Sequence, residues 1–117
     1  MNASPGAGNQ GVGVYNIRLS DGSTSYIGTI APPDSTPSIN RNTVSISGDG
    51  TTIAIGQHDS SILYVYSITD LSTPVFSDST GPGSEYYVSI DYYGQVVLLT
   101  LQDSGQVLMY SISLSPV

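Results

Sequence analysis

Apolar residues recur at every second position through much of this chain. Val44 and Ile46 alternate with Ser45 and Ser47, and Ile53 and Ile55 share one face of the next stretch. A period of two marks a strand with one buried face. Asp49-Gly50 stands between these runs and is the strongest hairpin signal in the sequence. From Ile62 to Ile68 the pattern changes: Ile62, Tyr64, Tyr66 and Ile68 line one face, and Leu63 and Val65 the other. A strand that is apolar on both faces needs cover on both. Val96-Val97-Leu98-Leu99 makes the same demand. The remaining strands are expected at Val12 to Leu19, Tyr26 to Ile30, Val75-Phe76, Tyr87 to Ile90 and Gln106 to Ile112. Pro74 cannot donate to a ladder, which places Val75-Phe76 at a sheet edge.

These runs repeat. Val44 to Ile68 recurs without a gap as Val88 to Ile112, an offset of 44 residues with nine identities. The identical pairs include Val44/Val88, Ile46/Ile90, Gly50/Gly94 and Tyr66/Tyr110. A partial third copy lies upstream, where Val14-Tyr15-Asn16-Ile17 matches the Tyr-Ser-Ile ends of the other two. Several strands per unit at a period of about 40 to 50 residues is the pattern of propeller blades.

The expected fold is all-β, in four-stranded antiparallel propeller-type blades, about two and a half per chain. Residues 1–10 form an irregular N-terminal segment, 11–42 a partial blade and linker, 43–86 a full blade, and 87–117 a partial blade lacking its outer strand. Such a set is not a closed ring. The expectation is a ring or stack completed by other copies or by a longer parent protein, because uncovered blade faces and open edges invite association. Val12, Val14, Tyr26, Ile27, Val107 and Met109 are the candidate assembly residues.

Composition narrows the function. Charged residues make up 9% of the chain, with no Lys, two Arg and a net charge of -7. That excludes a phosphate-backbone partner, which needs clustered cations. Cysteine is absent, so neither a disulfide framework nor a thiolate metal site is expected. No apolar run reaches the ~20 residues of a membrane-spanning helix. Low charge with abundant Ser, Thr and Gly fits an extracellular protein, or one at a cell or virion surface. Asn2-Ala3-Ser4 matches the glycosylation sequon.

Ser47, Asp49, Gly50, Ile53 to Gly56 and Val65-Tyr66 carry a resemblance. They resemble the blade repeats of secreted β-propellers of the FG-GAP or integrin-α-like kind. The resemblance spans roughly residues 11 to 112 and is strongest in the full blade. It implies a noncatalytic adhesion or recognition scaffold. The chain departs from that family in having no Phe-Gly…Gly-Ala-Pro segment and no Asp-x-Asp-x-Asp-Gly calcium loop. The absence of Trp argues against a WD-type repeat.

Catalysis is not expected. His58-Asp59-Ser60 holds the residue types of a hydrolase triad, but neighbours on one turn cannot adopt nucleophile-base-orienter geometry. The repeat places Gln102-Asp103-Ser104 at the equivalent position, which reads as turn chemistry. No metal ligand set and no cofactor are expected either. Tyr86, Tyr87, Tyr92 and Tyr93 cluster around one short strand and are the candidate ligand or interface residues. The expected function is a structural β-repeat module that self-associates through blade faces and strand edges. The alternative is a lectin-like or adhesion module that recognises glycan or protein through rim tyrosines.

Overall fold

The computed structural model describes residues 11–31, 42–57, 62–79, 86–101 and 105–112. Among these the chain is all strand and turn. The strands are β1 (Val12–Ile17), β2 (Thr24–Ile30), β3 (Asn42–Ile46), β4 (Thr52–Gln57), β5 (Ile62–Ser67), β6 (Phe76–Ser79), β7 (Tyr86–Ile90), β8 (Val96–Leu101) and β9 (Gln106–Ser111). They form three antiparallel sheets in chain order: a β1-β2 hairpin, a four-stranded sheet β3-β4-β5-β6, and a three-stranded sheet β7-β8-β9. Every strand pairs with its neighbour in sequence, as in a propeller blade.

The turns follow the predicted chemistry. Gly22, Gly50, Gly94 and Gly105 hold positive φ angles near +70° (72, 74, 74 and 69). At Gly50 and Gly94 this left-handed backbone closes the hairpin between the first two strands of each repeat, and an L side chain there is strained. The register repeats as well. Val44 pairs with Ile55 and Ile46 with Ile53; one repeat later Val88 pairs with Leu99 and Ile90 with Val97.

Several strand limits differ from the sequence reading, most of them by one or two residues. The first strand stops at Ile17 and the second begins at Thr24, because Arg18 and Ser23 close the turn through an N–H···O bond of 2.8 Å. The outer strand of the second sheet runs from Phe76 to Ser79, not Val75-Phe76. Its polar residues Ser77, Asp78 and Ser79 pair with Tyr64, Leu63 and Ile62. An edge strand with one open side does not need the apolar pattern that a central strand does.

The sheets stack face to face with the second in the middle. Tyr64, Tyr66, Ile53 and Ile55 pack with Val14 and Ile30 of the hairpin. Ala54, Leu63 and Val65, on the opposite face, pack with Val97, Leu99, Leu101 and Ile112 of the third sheet. This is the two-sided cover that the pattern from Ile62 to Ile68 requires. Each fully buried side chain of this size contributes about 1.5–3 kcal/mol.

Candidate functional site

In chain order, the backward face of a sheet is the one on the side of the preceding sheet, and the forward face is the opposite one. In the second sheet the forward face is Ala54, Leu63 and Val65, each 0% exposed beneath the third sheet. The repeat carries these positions to Leu98, Val107 and Met109, which are 42%, 61% and 71% exposed. They lie in adjacent rows, because Leu98 pairs with Met109 and Thr100 with Val107. Tyr87, paired with Thr100, extends the same face. The third sheet thus presents an apolar forward face with nothing over it among the described residues.

The backward faces differ in the opposite sense. Val88 and Ile90 are half-buried and packed into the joint with the second sheet. Their equivalents Val44 and Ile46 are 48% and 54% exposed. The hairpin covers the β4 and β5 part of the second sheet but not β3. What remains is a groove of about 340 Å³ lined by Val12, Gly13, Val14, Tyr15, Val44, Ser45, Ile46 and Ile53.

At one rim the hairpin turns of the second and third sheets meet. The Asp49 N–H donates to the Tyr92 carbonyl at 2.9 Å. The Tyr92 ring lies over Gly48, where an added Cβ would come within 2.2 Å of it. Gly94 faces Thr52 in the same way, at 2.4 Å. Tyr92 and Tyr93 nevertheless remain exposed, edge to face with ring centroids 4.9 Å apart.

The rim carboxylates serve their own turns. Asp49 Oδ1 accepts from the Thr51 hydroxyl, the Ser47 hydroxyl and the Thr51 N–H at 2.7, 2.7 and 3.1 Å. The Thr51 hydroxyl, followed by that of Ser47, holds the Asp49 pKa below its ordinary value of 3.8. Asp91 accepts from the N–H groups of Gln95 and Val96 at 2.6 and 2.8 Å, and the Val96 bond is the main cause of its lowered pKa. Asp70 is lowered by the Ser72 hydroxyl and Asp21 by the Ser23 N–H. Hydrogen bonds to the charged form favour it. Among the described residues, no three Asp, Glu or His side chains gather into a metal-holding group.

The assembly candidates divide into two groups. Val107 and Met109 lie on the open forward face, and Tyr26 and Ile27 are exposed on the hairpin. Val14 is instead buried against the second sheet, and Val12 is half-buried beside it. Their apolar character serves the joint within the chain, where they pack with Ile53, Ile55, Tyr64 and Tyr66. The tyrosines divide too: Tyr87 belongs to the sheet face, and Tyr92 and Tyr93 to the rim. Tyr86 lies in β7, but its side chain is outside the described residues, as are Asn2, His58, Asp59, Ser60, Gln102, Asp103 and Ser104. The sequence reading missed Val44, Ile46 and Leu98. The signal was present: each has a repeat-equivalent residue, and among the described residues one member of each pair is buried or half-buried while the other is exposed.

No helix of the described residues is long and apolar enough to cross a membrane. No family model matches the chain, and no curated protein does. A match among solved structures is the crystal structure of the Myceliophteria thermophila Cps50 (Swd1) beta-propeller domain, at 14% identity and a TM-score of 0.65. The match covers 87% of this chain and 34% of that one, so the chain spans about a third of the propeller's length. The likeness, together with the repeat and the stacked antiparallel sheets, shows the fold: an all-β chain of stacked propeller-type blade repeats.

Proposed function

We propose that the chain is a structural β-repeat module that self-associates through its uncovered blade faces. One observation carries this reading. Leu98, Val107 and Met109 are exposed at positions whose repeat equivalents are wholly buried beneath the next sheet. A contiguous apolar surface of this kind marks an interaction site. Another copy can supply what the chain supplies to itself one repeat earlier. Light scattering after size exclusion, over a range of concentrations, tests the reading. A discrete oligomer or open-ended growth supports it, and Val107→Asp with Met109→Asp reduces the mass to that of one chain. A monomer of 12.2 kDa at every concentration overturns it.

A second reading rests on Tyr92 and Tyr93. Their exposed edge-to-face pair at the rim suits an extracellular adhesion or lectin-like module that binds glycan or protein. The Ser47, Asp49 and Gly50 pattern of integrin-α-like blades supports the same reading. Tyr92→Ala with Tyr93→Ala abolishes ligand capture in this case and leaves the oligomeric mass unchanged.

A further inference from the structure

The joint between the second and third sheets shows how one blade face is covered by another. The forward residues Ala54, Leu63 and Val65 meet the backward residues Val88, Ile90, Val97 and Leu99. The rule of the repeat is therefore forward face on backward face. Each exposed end of the molecule holds one half of this joint. The third sheet presents the forward residues Leu98, Val107 and Met109. The groove beside the hairpin presents the backward residues Val44 and Ile46, with Ile53 at its base.

The strand edges are complementary as well. β1 pairs with β2 alone, so no described strand lies along its groove side. β9 ends the third sheet with no described strand beyond it. The one register shift in the hairpin skips Ile27 of β2, so β1 itself carries no extra residue. A strand laid in the groove would pair with β1 on one side and rest on Val44 and Ile46 below.

We infer that the groove between β1 and β3 receives β9 of a second copy, with Val107 and Met109 seated on Val44 and Ile46. The inference rests on the self-association reading and names the partner surface for it. The contact is heterologous: the third sheet of one copy meets the groove of the next, and each copy keeps one half of the joint to offer. Such contacts close into rings or extend as filaments. Strand pairing along β1 adds main-chain hydrogen bonds to the apolar contact.

The absence of cysteine makes the test direct. Single variants Val44→Cys and Met109→Cys are prepared separately, mixed and oxidised under mild conditions. Both positions are exposed, so the fold tolerates them. A disulfide requires Cβ atoms about 3.5–4.5 Å apart. The expected result is a linked dimer that forms at least tenfold more in the mixture than in either variant alone. Ile46→Cys with Val107→Cys gives the same result as an independent pair. Two outcomes overturn the inference and leave self-association standing. In one, Met109→Cys links to itself as well as in the mixture, which marks a symmetric face-to-face contact. In the other, no pair links although light scattering shows an assembly. A protein that stays monomeric removes both readings.

Discussion

The second and third sheets are built from one repeat, yet their environments are opposite. The second sheet is covered on both faces at β4 and β5, by the hairpin and by the third sheet; the third is covered on one face among the described residues. The residues at equivalent positions are not copies. The buried forward positions hold Ala54, Leu63 and Val65, and the exposed ones hold Leu98, Val107 and Met109. Exposure has not turned these positions polar. An edge sheet that faced only water would be expected to carry alternating polar residues, as antiparallel sheets with one solvated face do. The difference locates an apolar face with nothing over it among the described residues.

Substitution at an equivalent pair gives the largest contrast. Leu63→Ala empties a fully covered site and is expected to cost about 2–5 kcal/mol in urea unfolding. Val107→Ala is expected to cost under about 0.5 kcal/mol in dilute protein. Equal losses at the two positions would mean that the third sheet is as well covered as the second. The glycine pair gives the next effect. Gly50→Ala and Gly94→Ala both force a residue into left-handed backbone at about 1–2 kcal/mol. Only at Gly94 does the new Cβ meet Thr52 of the adjacent sheet. It is expected to lose about 1–3 kcal/mol more by overpacking.

The tyrosine pair is expected to differ in sign. The Tyr110 hydroxyl donates to Asp78 at 3.0 Å across the joint, so Tyr110→Phe costs about 0.5–1.5 kcal/mol. Tyr66 is its repeat equivalent, but its buried hydroxyl finds no partner among the described residues. Ile30 of the hairpin is packed in the same cluster and offers the hydroxyl no acceptor side chain. Tyr66→Phe is expected to be neutral or to stabilise by up to about 1 kcal/mol, read as a shift of the urea midpoint.

Acid gives the smallest contrast. The lowered pKa values of Asp49 and Asp91 mean that their turn bonds stabilise the fold fully above the ordinary value of 3.8. The contribution is lost as pH falls through the lowered folded values. In the third sheet Asp91 itself accepts the Gln95 and Val96 N–H groups. In the second sheet the Ser47 hydroxyl takes the equivalent bonds from Thr51 and Thr52, at 3.3 and 3.1 Å, and does not titrate. The amide resonances of Gln95 and Val96 are expected to shift more on acidification than that of Thr52. Equal shifts would show that the two turns are held alike.

Much of the fold was legible because each local signal agreed with the repeat. Asp49-Gly50 fixed one hairpin, Gly94 fixed its equivalent, and the two-faced apolar run from Ile62 to Ile68 required a sheet on either side. The outer strand was harder to place. Ser77, Asp78 and Ser79 carry no pattern, and only their ladder with β5 defines them. The candidate surfaces were legible in part. Val107 and Met109 share one strand face by their period of two, and that face is exposed. Val14 was misplaced because a strand pattern shows which residues share a face, not which sheet that face meets. The packing of Tyr92 over Gly48 depends on two turns 44 positions apart in sequence and carries no local signal.

The middle position of the second sheet also sets the order in which solvent reaches the backbone. Amide hydrogens exchange when local opening exposes them. For Ala54, Leu63 or Val65 to open, the third sheet must first lift away. The third sheet can open outward while the strand ladders of the second stay paired. Deuterium should therefore enter β9 first and β4 and β5 last. A bound copy over the third sheet would slow exchange there and make the two repeats alike in protection.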